Sequence, residues 1–286
     1  MTTNGESNTL LRLLDRVAEV CPIPATAQRV MLLSAIDDCD IRDVAEAIAA
    51  DPALAAQTMR IANSAVYRRR RAVETLGQAI VMLGLTQIHD MAAAMAMMAA
   101  FQTEHELSLR FHASSVLSGT LAGLLAAELR VADRAPAFLT GLLAEVGAMA
   151  CVAVDGNGFS KIYAEAAGDW TKRAELETKR YTVPSWEIGA KLLDRNELPE
   201  FLCEAVGSHF DVDHSELDGL ARVTVFGRIA APEIAAYPPE EALSRLGPRL
   251  TEIATLCGLE KAGERRLIEL TEQAVTSAEH ALSKQL

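Results

Sequence analysis

The sequence predicts an all-α protein, a multi-helix bundle of two packed helical subdomains. Three observations support this fold class. Half of the 286 residues are hydrophobic but only 5% are aromatic, and Ala, Leu and Met, which favour helices, supply much of the apolar mass. Apolar residues recur at helical spacing along most of the chain, without strand-like alternation of useful length. Charged residues make up only 23%, which disfavours disorder.

Helix start signals are clear in the first hundred residues. Asp40 can cap one helix, and Asp51-Pro52 places a capping carboxylate before a proline at the first helical position. Thr75 to Gln78 has the pattern of a capping box. The methionines of the following segment are expected to fill the core. The predicted helices cover 10–20, 25–36, 41–49, 52–65, 76–84 and 85–101.

The remaining two thirds also predict helices. Residues 135–154 are long enough to span a membrane, but Glu145 near the centre would cost roughly 3 kcal/mol there, so we expect a buried helix instead. A polar stretch at 211–218 predicts a boundary. The expected helices cover 104–129, 136–154, 159–167, 170–179, 184–194, 199–209 and 260–286, with a turn at 155–158 and breaks at 237–239 and 247–248.

Charge and cysteine content exclude several classes of protein. The net charge of −12 does not suit a sequence-independent grip on nucleic acid. The five cysteines are dispersed and form no CxxC pair, which disfavours a disulfide framework or a zinc ribbon. The first ten residues lack the pattern of a signal peptide. We therefore expect a cytoplasmic protein without nucleic-acid or membrane partners.

The first hundred residues resemble the HDOD family. The resemblance covers about 65 residues in matching order and spacing, and continues more weakly to about residue 212. The segments that carry it are Cys21-Pro-Ile-Pro-Ala-Thr-Ala, Val44 to Ile48, Asp51-Pro-Ala-Leu-Ala, Ile61-Ala-Asn-Ser-Ala-Val-Tyr67 and Leu76-Gly-Gln-Ala-Ile-Val-Met-Leu-Gly-Leu85.

This resemblance implies a domain plan and a function. HDOD modules are helical, look like HD-superfamily phosphohydrolases, and generally act in signalling. The implied function is a non-catalytic regulatory module that binds a partner protein or small ligand in a bacterial signalling or response-regulator pathway, without a cofactor. The implied plan is an N-terminal extension (1–20), an HDOD domain (21–212, with halves 21–103 and 104–212) and a C-terminal helical extension (213–286).

The resemblance also implies a degenerate metal site. HD enzymes use imidazoles and carboxylates around divalent metals. The central His-Asp pair corresponds here to Ala144-Glu145, another His position to Ser185, a later His pair to Ser208-His209, and the distal Asp to Gly227. The upstream His matches His112. A remnant pocket would therefore contain His112, Ala144, Glu145, Ser185, Ser208 and His209. In the plainer interpretation His112 is a hydrogen-bonded core histidine, and Glu145 lies at a helix surface or pairs with it.

Three other polar features of the sequence could hold a ligand. His89-Asp90 is a literal His-Asp pair without partners at metal spacing, and the cluster from His209 to His214 is more typical of a solvated linker. The run Arg68-Arg69-Arg70-Arg71 could bind a phosphate or an acidic partner. Candidate contacts for such an anion or partner are Asn63, Ser64, Tyr67, Arg68, Arg69, Arg70 and Arg71.

Three functional hypotheses remain open. The first is the regulatory binding module. The second is a cryptic metal-dependent phosphohydrolase that uses His112, Glu145 and His209. The third is an anion-binding scaffold centred on Arg68 to Arg71. The sequence does not distinguish oligomeric states.

Overall fold

The structure, a computed structural model, describes residues 3–22, 24–34, 39–63, 72–101, 103–209, 217–235 and 239–282. Within these ranges every regular element is helical, which confirms the predicted all-α class. The N-terminal helices are α1 (Thr3–Val20), α2 (Ala25–Ser34), α3 (Ile41–Ala49), α4 (Pro52–Ala62), α5 (Leu76–Leu83) and α6 (Leu85–Ala100).

The middle of the chain forms α7 (Glu106–Leu129), α8 (Arg134–Leu143), α9 (Val146–Ala166), α10 (Trp170–Tyr181), α11 (Ser185–Arg195) and α12 (Glu200–Gly207). The C-terminal helices are α13 (Gly219–Ala235), α14 (Pro239–Leu256) and α15 (Glu264–Leu282), with a short 3₁₀ turn at Glu260–Ala262 before the last.

Helix caps form where the sequence predicts them. The Asp40 side chain accepts a hydrogen bond from the backbone N–H of Arg42 at the start of α3. Asp51 Oδ1 accepts from Leu54 N at 3.1 Å, and Thr75 with Gln78 forms the complete capping box of α5. Local capping chemistry therefore sets these helix starts, because it satisfies backbone donors that have no partner inside the helix.

One predicted helix and two predicted interruptions differ in the structure. The predicted helix 136–154 breaks at Ala144 and Glu145, which separate α8 from α9. The predicted turn at 155–158 is instead a kink within α9, where Asp155 has φ −150° and ψ 51°. Pro248 lies inside α14, where the buried packing of Leu250 and Ile253 outweighs the hydrogen bond that proline cannot make. The expected break at 237–239 falls largely on residues outside the described ranges.

Two hydrophobic clusters form the interior. The first joins α1 to α6 with the start of α7, the end of α10, and α8, α9, α11 and α12. The four methionines of α6 belong to it, which confirms the core assignment for Met91, Met95, Met97 and Met98. The second cluster joins the C-terminal part of α7 with α13, α14 and α15. Because α13 lies against α7, the C-terminal helices share a core with the half of the fold that carries the candidate site.

The segment Arg134–Ala166, which comprises α8 and α9, contains a window with the length and hydropathy of a membrane span. Its most apolar window is 89% buried inside the fold, as expected for the core helix of a soluble protein. Helices α5 and α6 would pass the same test only as a pair, and they meet at an angle of 111°.

Candidate functional site

The candidate site is built around the junction between α8 and α9. Glu145 lies in this junction and is only 4% exposed, so the interpretation that placed it at a helix surface is wrong. Gly147 follows, and its backbone packs so closely on α11 that an added Cβ would lie 1.8 Å from the carbonyl oxygen of Ser185. This contact brings position 185 beside position 145.

Arg173 of α10 is the partner of Glu145. It is 4% exposed, and its Nη2 lies 2.9 Å from Glu145 Oε2, while its Nε lies 2.8 Å from Glu177 Oε1. The same Nη2 lies 3.2 Å from Ser185 Oγ, and Glu177 Oε2 accepts a hydrogen bond from the Ser185 backbone N–H at 2.7 Å. The alternative pairing of Glu145 with His112 is therefore wrong, because a buried guanidinium takes that carboxylate.

Four aromatic rings surround the guanidinium group of Arg173. The Arg173 Cζ lies between 4.7 and 5.9 Å from the ring centroids of Trp170, Phe159, Phe111 and Tyr163. Burial alone would lower the pKa of Arg173, but Glu145 and Glu177 reverse that effect and hold its pKa above the ordinary value. Arg173 is therefore a permanent cation inside the site.

Arg228 of α13 supplies a second buried cation. It is 1% exposed and donates to three backbone carbonyls, those of Ala144 (Nε, 2.9 Å), Ser208 (Nη1, 2.6 Å) and Val206 (Nη2). Burial, with a smaller repulsion from Arg173, lowers its pKa to about 10, so it remains charged at neutral pH. The planar guanidinium thus joins the α8–α9 junction to the end of α12.

His209 completes the cluster on the side of α12. Its ring stacks on Trp186 with centroids 3.8 Å apart and an interplanar angle of 8°. Burial lowers the pKa of His209 to about 3, with additional repulsion from Arg228 and Arg173. Ser208 contributes its carbonyl to Arg228, while its hydroxyl donates to the carbonyl of Glu204.

His112 stands apart from these contacts. Burial lowers its pKa to about 4, and its Nε2 has no hydrogen-bond partner among the described residues. The interpretation of His112 as a hydrogen-bonded core histidine is therefore wrong for this atom. Phe111, the residue before His112, packs its ring on Arg173.

The residues present do not fit a divalent metal. Ala144 and Ser185 lack the expected imidazoles, and Glu145 is committed to Arg173. The guanidinium groups of Arg173 and Arg228 would also repel a metal ion bound beside Glu145. Gly227 lacks a carboxylate, and a Cβ there would lie 2.6 Å from Ser118 Oγ. The described part of the chain contains no group of three or more His, Cys, Asp or Glu residues suited to a metal.

The other sequence candidates have separate places. Asn63 ties the end of α4 to residue 73, donating to the carbonyls of Met59 and Val73 and accepting from Val73 N at 2.8 Å. His89 Nδ1 lies 3.2 Å from Asp90 Oδ1 on α6. Ser64, Tyr67, Arg68, Arg69, Arg70 and Arg71 fall outside the described residues, as does most of the segment from His209 to His214.

Sequence reasoning missed three residues of the site. Arg173 and Glu177 are spaced i to i+4 on an amphipathic helix, which is the usual pattern of an exposed pair. Arg228 did offer a signal, because it interrupts an apolar run in α13 and a buried arginine needs several acceptors.

The fold and site together define a helical, HD-like domain whose metal-ligand positions are degenerate. A profile of the HDOD domain matches residues 20–212, and the chain belongs to the HDOD family. This agrees with the resemblance identified from the sequence.

Solved structures share the fold over most of the chain. A Shewanella amazonensis protein named "putative phosphohydrolase" matches with a TM-score of 0.70 and 22% identity, covering 94% of this chain and 97% of that chain. An HDOD domain protein with unknown function from Geobacter sulfurreducens matches with a TM-score of 0.65 and 20% identity, covering 98% of each chain. A Marinobacter aquaeolei protein named "putative signal transduction protein" matches with a TM-score of 0.62 and 18% identity, covering 99% of this chain and 66% of that chain.

At these identities the likeness to solved structures supports the fold alone. Comparison with curated proteins gives no match.

The partly buried His112 predicts that acid destabilises the fold. Since the pKa of His112 falls to about 4 in the folded state, against about 6.5 when exposed, the unfolded chain binds more protons between these values. The contribution of His112 is fully present above pH 6.5 and is lost as the pH falls toward 4. We expect acidification from pH 7.5 to 5.0 to remove about 2 kcal/mol through this residue.

Urea unfolding of the wild type and His112→Gln at both pH values measures this effect. The variant should lose about 2 kcal/mol less on acidification than the wild type, because glutamine does not titrate. Equal losses in the two proteins would contradict the assignment of His112 as a partly buried, neutral imidazole.

Proposed function

We propose that the chain is a non-catalytic regulatory module of signal transduction that binds a partner protein or a small ligand. The observation that carries this proposal is the replacement of a metal-ligand set by an internally balanced ion cluster. Glu145 and Glu177 neutralise Arg173, while Arg228 holds three backbone carbonyls. Such a cluster stabilises one geometry of the junction between α8 and α9 but provides neither a Lewis acid nor an activated water.

The competing function is a metal-dependent phosphohydrolase that uses His112, Glu145 and His209. The name of the similar Shewanella amazonensis protein, "putative phosphohydrolase", favours this alternative. Against it, Glu145 would have to leave Arg173, and this buried cation would lose one of the two carboxylates that neutralise it, which carries a penalty. His112 also makes no hydrogen bond within the described structure to the cluster around Glu145.

Metal analysis of the purified chain tests the proposal. After incubation with Mn²⁺, Fe²⁺ or Zn²⁺ and dialysis, we expect well below about one metal equivalent per chain and no hydrolysis of p-nitrophenyl phosphate. His112→Ala should leave the residual metal content unchanged. His89→Ala, which removes a histidine outside the candidate site, is the matched control.

A different metal content would contradict the proposal. About one bound equivalent that disappears in His112→Ala but persists in His89→Ala would overturn the non-catalytic assignment. Hydrolysis that follows the same pattern would establish the phosphohydrolase instead.

A further inference from the structure

A groove on the surface lies between the second half of α9 and α10. It encloses about 280 Å³. Its floor is apolar, formed by Ile162 and Leu176, and its rim carries Lys161, Lys179 and Arg180. None of these residues belongs to the buried cluster around Arg173.

Two of the three cations at the rim form no ion pair within the described part of the chain. Lys161 and Lys179 are exposed, and neither ammonium group pairs with a carboxylate in the described part of the chain. Arg180 uses its Nε to bind Asp155 Oδ2 at 2.5 Å, and its side chain remains 48% exposed. The groove therefore presents two ammonium groups and part of a guanidinium to solvent.

The single carboxylate on the lining is already engaged. Glu165 Oε1 lies 3.9 Å from Lys172 Nζ, and the same ammonium donates to the Glu165 carbonyl at 2.8 Å. The lining thus carries three cations and one carboxylate, although the whole chain has a net charge of −12.

We propose that this groove binds the phosphoryl group of a small phosphorylated molecule. Ammonium and guanidinium donors form charge-assisted hydrogen bonds to phosphoryl oxygens. The apolar floor suits the carbon part of the ligand. The volume is slightly below that of common ligand pockets, which favours a compact molecule with one or two phosphoryl groups.

The groove also contacts the kink of α9 through Arg180. Asp155, at the kink, accepts hydrogen bonds from Arg180 and, at 3.1 Å, from the hydroxyl of Tyr181. The Tyr181 ring stacks on Phe159 with centroids 6.4 Å apart, and Phe159 packs on Arg173. A ligand that draws Arg180 away from Asp155 would therefore change the contacts of Asp155 and Tyr181. Tyr181 is separated from the buried cluster around Arg173 only by the ring of Phe159.

This proposal extends the proposed function by naming a ligand class and its site. It does not depend on whether the chain hydrolyses a phosphate ester. Its test is therefore separate from the metal and hydrolysis measurements.

Isothermal titration calorimetry with inorganic pyrophosphate tests the groove. The wild type should bind, and the affinity should fall with added salt. Lys161→Ala with Lys179→Ala should weaken binding about tenfold or more, because two charge-assisted contacts are lost. The matched control is Lys191→Ala with Lys261→Ala, which removes the same charge from exposed positions outside the groove.

Two results would overturn the proposal. One is the absence of pyrophosphate binding to the wild type at millimolar concentration. The other is an equal loss of affinity in the two double variants, which would indicate a response to net charge alone. In the first case, binding to phosphatidylinositol-phosphate vesicles would indicate a lipid headgroup as the ligand instead of a small soluble molecule. Fluorescence of Trp170, which lies 4.7 Å from Arg173, should change on pyrophosphate binding if the kink responds.

Discussion

Replacing Arg173 with methionine should lower the free energy of unfolding by about 3–5 kcal/mol. The substitution would leave Glu145 and Glu177, which are 4% and 0% exposed, as uncompensated charges inside the protein. Breaking a buried ion pair from one side is costlier than removing the pair as a whole. Urea unfolding followed by circular dichroism measures the change.

A surface arginine provides the control for this substitution. Arg195→Met removes an ion pair with Asp15, whose side chains are 43% and 58% exposed, and should cost less than about 1 kcal/mol. Adding Glu145→Gln and Glu177→Gln to Arg173→Met should restore part of the lost stability, since no buried carboxylate of the pair is then left without Arg173. A loss for Arg173→Met no larger than that of the control would contradict the buried cluster.

Replacing Arg228 with methionine should cost about 3 kcal/mol. The change removes the donors of three backbone carbonyls, at Ala144, Val206 and Ser208, and a buried acceptor without a partner is expensive. Arg228→Lys should be nearly as destabilising, because an ammonium group lacks the planar fork that reaches three acceptors. Thermal and urea unfolding measure both variants.

Arg249 is a suitable comparison for Arg228. It lies on α14, a helix of the second hydrophobic cluster, and pairs with Glu233 and Glu252 while its own side chain is 38% exposed. Arg249→Met should cost less than about 1 kcal/mol. If Arg228→Lys proves as stable as the wild type, the three carbonyl contacts do not have the role assigned to them.

Much of the fold could be predicted from local chemistry. Caps at Asp40, Asp51 and Thr75 act within one helical turn, so their signatures are readable in the sequence. The continuation of α9 through the predicted turn at Asp155 and of α14 through Pro248 could not be predicted in this way. Both depend on contacts with distant residues that override local preferences.

The sequence predicted which metal ligands are missing from the candidate site, but not which residues replace them. The resemblance to HDOD proteins indicated which positions lack a metal ligand, including Ala144 and Ser185. It could not show that Arg173 and Arg228 occupy the interior, because burial of a charged side chain is a property of packing in three dimensions. A sequence pattern reports missing ligands more readily than the groups that take their place.

The position of Arg228 has a consequence for how this domain can be inherited. The family match ends at residue 212, whereas Arg228 lies beyond that limit and supplies donors to the α8–α9 junction and the end of α12. A recombination event that moved only the matched segment into another gene would leave those carbonyls without donors. The unit that evolution can shuffle intact therefore extends past the family boundary and includes α13.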